Sequence, residues 1–192
     1  VECPVLYSRG GEPAVIFLHG YSFRHTIWAE LGFTGLLEER GQAYAAPDMP
    51  YGRATGCTRR TRSIDVNLAM ARDALRLAGA SRPAVAFAAS MGGRYAVYLA
   101  SAGLVDALLL AAPALGRDER AWSLLRGLRP RWAVVAWGTR DRVVARREAE
   151  EVAERLGARL VVVEGAGHAA YRDKPELFRD LILEAIGAAT SG

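Results

Sequence analysis

The sequence predicts an α/β protein, a mostly parallel twisted sheet with helices on both faces, and three observations carry that expectation. Short apolar runs at 14–18 (AVIFL), 84–89 (AVAFAA) and 105–112 (VDALLLAA) are too brief for typical helices and are bounded by turn or polar residues, as buried strands are. Longer stretches between them carry apolar residues at helical spacing, most clearly over 63–77. Strands and helices then alternate along the chain, which implies parallel pairing through right-handed crossovers.

Taken in order, 5–7 is a first short strand in an extended segment that ends at the turn signal Gly10-Gly11. After the strand 14–18, a helix is expected over 26–40, with Thr26 at its start and Ile27, Leu31, Leu36 and Leu37 on its apolar side; Gly32 and Gly35 weaken it. The strand 44–46 opens into a turn-rich loop that runs from Pro47 to about Arg60. Next come the amphipathic helix 63–77, the strand 84–89, a helix from Met91 and the strand 105–112, which Pro113 stops. The segment 113–131 has room for one helix, about 118–128. A strand at 132–137, a charged helix at 145–156, a strand at 159–163 and a glycine-lined loop at 165–168 follow, and a helix at 175–188 with Pro175 in its first turn completes the chain.

The sharpest local signal is Ser90, set between the strand 84–89 and the helix after it in the sequence Ala88-Ala89-Ser90-Met91-Gly92-Gly93. A strand that turns into a helix over one serine bends sharply, so only small residues fit two positions either side, and the serine hydroxyl stands above the sheet. Taken alone, such a serine reads as an N-cap before it reads as a nucleophile. The rest of the chain changes that reading. In a parallel sheet, sites form at the carboxyl ends of the strands. There the chain places His19-Gly20-Tyr21, Asp48, Ser90, Asp141 and His168.

Acyl transfer needs such a set. A serine hydroxyl is a weak nucleophile near neutral pH until a base takes its proton, and His168 is the candidate base. Asp141 is the candidate to orient the imidazole and stabilise its charged form. The backbone N–H groups of Tyr21 and Met91 are the candidate oxyanion donors. Asp118 is a rival acid, Asp106 lies at a strand start on the wrong rim, and Asp48 reads as a turn residue. His19 reads as an organiser of its loop. Ser22, Arg24 and His25 are candidate substrate contacts, and Trp28 and Trp122 read first as core or pocket wall.

With these residues in place the chain resembles an α/β-hydrolase-fold serine hydrolase along nearly its whole length. The motifs that carry the resemblance are HGYSF with Trp28 downstream, APDMPYG, AASMGG, WGTRDRVV and GAGHAAYRDKPE. Together they are similar to the small, capless hydrolases of the abhydrolase-domain 14 subfamily and related bacterial proteins. The first glycine of the G-x-S-x-G elbow is replaced by Ala88. The resemblance implies an esterase-type site with no cofactor and no metal, in one domain over 1–192 with a short segment at about 113–131 where a cap is often inserted. A thin cover favours small acyl groups. The expected activity is therefore that of a carboxylesterase on small esters. A thioesterase, amidase, peptidase or acyltransferase would use the same three groups, and a binding protein on a hydrolase scaffold belongs to a different class; a dehalogenase would want a carboxylate at position 90.

Composition bounds the alternatives. At 192 residues, 51% hydrophobic and 24% charged, the chain has the make-up of an ordinary globular domain. No apolar run approaches the roughly 20 residues of a membrane span and no signal-like segment opens the sequence, so the cytoplasm is the expected location. The net charge of +4 comes almost entirely from arginine, Lys174 being the only lysine. The arginines at 59, 60 and 62 and at 142, 146 and 147 read as solvated faces, since no nucleic-acid module accompanies them. The expected partner is a small-molecule ester, with neither nucleic acid nor membrane, and a monomer and a dimer are equally compatible. Cys3 and Cys57 have no metal-type spacing and pair only if the fold brings the N-terminus beside the loop around Cys57; two free thiols are expected.

Overall fold

The computed structural model describes residues 1–191. Its strands are β1 (Val5–Ser8), β2 (Gly11–Leu18), β3 (Gln42–Pro47), β4 (Ala84–Ala89), β5 (Val105–Ala111), β6 (Trp132–Gly138) and β7 (Arg159–Val163). Its helices are α1 (Ile27–Glu30), α2 (Phe33–Glu39), α3 (Ile64–Leu77), α4 (Met91–Ser101), α5 (Glu119–Leu125), α6 (Arg146–Leu156), α7 (Ala170–Asp173) and α8 (Pro175–Thr190). The strands form one sheet in the order β1-β3-β2-β4-β5-β6-β7. β2 to β7 pair in parallel, whereas β1 lies antiparallel to β3 at the edge. The link through Arg9 and Gly10 turns the chain back without a crossover helix, so β1 runs against β2 and therefore against β3.

Period-two alternation sorts the central strands between two cores. Ile16 and Leu18 of β2 and Ala86 and Ala88 of β4 face one side, with Leu75 of α3, Tyr95 and Leu99 of α4, and Leu156 of α6. Val15, Phe17, Val85 and Phe87 face the other, against Trp28 and Phe33 and against Phe178 and Ile182 of α8. The second core is strongly aromatic. The Trp28 ring lies 4.8 Å from Phe87 and 5.2 Å from Tyr171, separations at which tilted rings attract beyond their buried area.

Three sequence expectations change. The helix expected over 26–40 is two helices, because Gly32 sits at φ 79°, a left-handed conformation that ends α1 and opens α2. The short helix α7 was not foreseen. Cys3 and Cys57 are joined in a disulfide rather than free. The Asp48 N–H donates to the Pro4 carbonyl at 2.8 Å and the Thr58 N–H to the Glu2 carbonyl at 2.8 Å, so the N-terminal segment lies along the loop that carries Cys57. No helix among the described residues is long and apolar enough to cross a membrane.

The segment between β5 and β6 holds only α5. Asp118 caps this helix by accepting the Ala121 N–H at 3.0 Å and takes a hydrogen bond from the Tyr98 hydroxyl at 2.9 Å. Ala121 and Leu125 pack into the core beside α4 and α6, so α5 covers that face of the sheet and contributes nothing to the walls of the cavity beside Ser90.

Candidate active site

β4 and α4 meet at Ser90, whose backbone sits at φ 51° and ψ −116°. For a non-glycine residue this region costs of order 1–3 kcal/mol and persists only where the surroundings enforce it. Here the Ser90 N–H donates to the Ala111 carbonyl at 2.9 Å, and its carbonyl accepts the N–H groups of Gly93 at 3.0 Å and Ala114 at 2.9 Å. A Cβ on Gly93 would stand 2.7 Å from Pro113 Cβ, which explains the glycine in physical terms. Ala88 is fully buried and pairs with Leu18 of β2, and its methyl belongs to the core rather than to the bend.

His168 follows β7 and Asp141 follows β6. His168 Nε2 lies 2.9 Å from Ser90 Oγ, and His168 Nδ1 lies 2.9 Å from Asp141 Oδ2. An ionised carboxylate only accepts, so Nδ1 carries the proton and Nε2 presents its lone pair to the serine hydroxyl. The carboxylate is itself fixed: Asp141 Oδ1 accepts the N–H groups of Val143 at 2.7 Å and Val144 at 3.0 Å. The Asp141 side chain is fully buried, while His168 keeps 26% of its surface exposed and is reachable from solvent. Asp118 stays with Tyr98 and Asp106 with Arg131, so neither reaches His168.

A cavity of about 170 Å³ opens beside Ser90 and His168. Phe23, Ala89, Val143 and Tyr171 make its apolar walls, and Tyr21 and Ser22 also line it. Burial pushes the Tyr171 phenol well above its ordinary value, so this wall stays uncharged throughout the neutral range. The Tyr21 and Met91 N–H groups have no hydrogen-bond acceptor among the described residues. Met91 also opens α4, where the helix dipole favours negative charge.

Of the candidate substrate contacts, Ser22 borders the cavity and Arg24 and His25 do not. Both turn instead toward Asp48, with Arg24 Nε and His25 Nδ1 each 3.6 Å from Asp48 Oδ2. Asp48 is a fully buried carboxylate rather than a turn residue: its Oδ1 lies 3.1 Å from His19 Nε2 and its Oδ2 accepts the Gly56 N–H at 2.5 Å. Burial alone would raise its pKa. The adjacent His19 and His25 side chains and the hydrogen bond from the Gly56 N–H outweigh that and hold the carboxyl well below the usual carboxylate range. His19 Nδ1 in turn lies 2.8 Å from the Gly20 carbonyl, which ties Asp48 to the loop that presents Tyr21. The wall residues Phe23, Val143 and Tyr171 escaped the sequence reading. Their one sequence signal was proximity to Tyr21, Asp141 and His168.

The fold and this arrangement define a class, a strand-turn-helix serine on a parallel sheet with a histidine and an aspartate on the same rim. The chain belongs to the alpha/beta hydrolase family, whose model matches residues 15–133, a span that includes Ser90 and ends before Asp141 and His168. Protein ABHD14A of Homo sapiens is 25% identical over 174 residues, and the one from Rattus norvegicus is 28% identical over 176 residues. These alignments cover 88% of this chain, which spans 62% of the human relative and 69% of the rat one. Among solved structures, a predicted CIB-like hydrolase from Thermoplasma acidophilum superposes with a TM-score of 0.76 at 24% identity, covering 95% of this chain and 98% of the other. A monoacylglycerol lipase from Paleococcus ferrophilus superposes with a TM-score of 0.80 at 16% identity, covering 98% and 100%. At these identities the superpositions establish the fold.

Proposed function

We propose that the protein is a serine hydrolase that cleaves small carboxylic esters through an acyl-enzyme. The observation that carries this reading is the unbroken hydrogen-bonded line from Ser90 through His168 to Asp141 beside an apolar cavity. Ser90 Oγ attacks the ester carbonyl as His168 Nε2 takes its proton, and Asp141 stabilises the imidazolium that forms. The tetrahedral oxyanion is received by the Tyr21 and Met91 N–H groups. Collapse expels the alkoxide or phenoxide, which takes the proton back from His168, and leaves the acyl group on Ser90. Water then repeats the sequence with His168 as its base and regenerates the serine.

The cavity supports a short acyl group. An apolar cavity of about 150 Å³ accommodates one benzene ring, so about 170 Å³ matches a small aliphatic acyl or a single aryl group. Thioesters, amides and transfer to another acyl acceptor would use the same three groups, and pocket shape decides among them. No residue in the line requires a cofactor or a metal. A disulfide persists where the surroundings do not reduce it, so the Cys3–Cys57 bond favours an oxidising compartment over the cytoplasm.

Replacing Ser90 with Ala is the test. Ser90→Ala abolishes turnover of a chromogenic acetate ester while its circular dichroism and Tm match those of the parent. Undiminished turnover in that variant overturns the assignment.

A further inference from the structure

Two aromatic residues that line the Ser90 cavity carry guanidinium groups on their rings. The Cζ atoms of Arg60 and Arg62 lie 5.6 and 5.5 Å from the centre of the Tyr21 ring, and that of Arg172 lies 5.3 Å from the centre of the Phe23 ring. Arg60 also donates to the Tyr21 hydroxyl at 3.1 Å. All three arginines are exposed. They come from different parts of the chain, two from the loop before α3 and one from α7, and meet on two rings that line the same cavity. None of them forms an ion pair with a carboxylate among the described residues. Of the other arginines set over aromatic rings, Arg146 and Arg155 each close on a glutamate of their own helix, while Arg120 over Tyr98 has no ion pair among the described residues and lies away from the cavity.

A guanidinium held over an aromatic ring keeps N–H donors to offer a carboxylate or other oxoanion: among the described residues the Arg62 and Arg172 side chains donate to no other residue, and Arg60 spends only one N–H on the Tyr21 hydroxyl. Among the described residues no arginine or lysine lines the cavity, so an anionic part of the substrate meets these guanidinium groups outside it. With the acyl group inside, that part is the leaving group. We propose that Arg60, Arg62 and Arg172 form an anion-reading rim that selects esters whose leaving group bears a fixed negative charge, a carboxylate or a sulfonate-like or phosphate-like oxoanion. This rests on the serine-hydrolase reading and names its substrate class. The three arginines are specificity determinants and take no part in proton transfer.

The test compares 4-sulfophenyl acetate with phenyl acetate, each rate divided by that ester's hydroxide-catalysed rate so that intrinsic reactivity cancels. In the wild type the corrected kcat/KM ratio favours the sulfonate, and salt at about 0.5 M lowers that preference several-fold because exposed charges are screened. In Arg60→Gln/Arg62→Gln/Arg172→Gln the ratio drops by roughly tenfold or more, the scale of lost charge-assisted hydrogen bonds. Should the triple variant fold poorly, Arg172→Gln and Arg60→Gln alone each lower the ratio by about two- to threefold, the scale of one exposed charge contact. A ratio that none of these variants moves overturns the rim while turnover of phenyl acetate and fluorophosphonate labelling of Ser90 persist. Absence of both turnover and labelling in the folded wild type overturns the serine-hydrolase reading and the rim with it.

Discussion

A Cβ on Gly92 would fall on the carbonyl oxygen of Leu18, a backbone atom of the neighbouring strand that has no room to yield. This contact fixes how closely α4 approaches β2, and so the height of Ser90 above the sheet. Gly92→Ala is therefore expected to cost about 2 kcal/mol or more, the scale of overpacking, and to lower turnover out of proportion to its loss of stability. Ala88→Gly, which restores the usual elbow glycine, loses only about 1 kcal/mol of strand stability and leaves Ser90 in place. Thermal unfolding and ester turnover of the two variants check the contrast.

Asp141 Oδ2 lies 2.9 Å from His168 Nδ1, so the neutral isostere tests the proposed orienting role apart from packing. Asp141→Asn retains an acceptor for the Val143 and Val144 N–H groups, but it turns an N–H toward Nδ1 or forces the wrong tautomer. The kcat is expected to fall by roughly 10³–10⁴ with KM nearly unchanged, as for other serine-histidine-aspartate sites. Steady-state kinetics on a chromogenic ester give the answer, and a change confined to KM contradicts the role.

Asp48 links acid stability to the loop that carries Tyr21. Its folded pKa lies below its unfolded value, so its contribution is present above the unfolded value near 4 and is lost as pH falls toward the folded one. Asp48→Asn is expected to be less stable than the parent at neutral pH by about 1–3 kcal/mol, and the gap narrows as the solution is acidified below about pH 4. Denaturant melts at several pH values measure it; a gap that widens on acidification contradicts the sign.

The disulfide joins positions 54 residues apart and closes the N-terminal segment over the Asp48 loop. Removing it by Cys3→Ser/Cys57→Ser releases about 4 kcal/mol of loop-closure entropy into the unfolded chain. The expected result is a lower Tm for the double variant, reproduced in the parent by a thiol reductant. Equal unfolding curves with and without reductant contradict it.

Local chemistry made most of the fold legible. The limits of β4 and β7 fall where the apolar runs at 84–89 and 159–163 end, and α3 starts after Ser63, whose hydroxyl accepts the Val66 N–H at 3.4 Å. Where the reading missed, the causes differ. Gly32 breaks the first helix by its left-handed backbone, φ 79°, and the Leu31 carbonyl left at the break accepts from Arg179 of α8 at 2.9 Å, a contact across 148 residues. The pairing of Cys3 with Cys57 depends on where the edge strand folds back. α7 is one turn long and has no period to read. At the site, strand ends placed Ser90, Asp141 and His168 on one rim, since a parallel sheet dictates where its carboxyl ends gather. Arg24 and His25 were misplaced because adjacency to His19-Gly20-Tyr21 in sequence says nothing about the buried charge of Asp48, which draws both away from the cavity.

Intact-mass analysis of the folded protein after exposure to a fluorophosphonate tests the nucleophile most directly. The expected result is one adduct per chain, mapped by peptide digestion to Ser90, absent from Ser90→Ala and formed far more slowly in His168→Ala. Folded protein that stays unlabelled, or that carries the label on another residue, contradicts the serine-hydrolase mechanism.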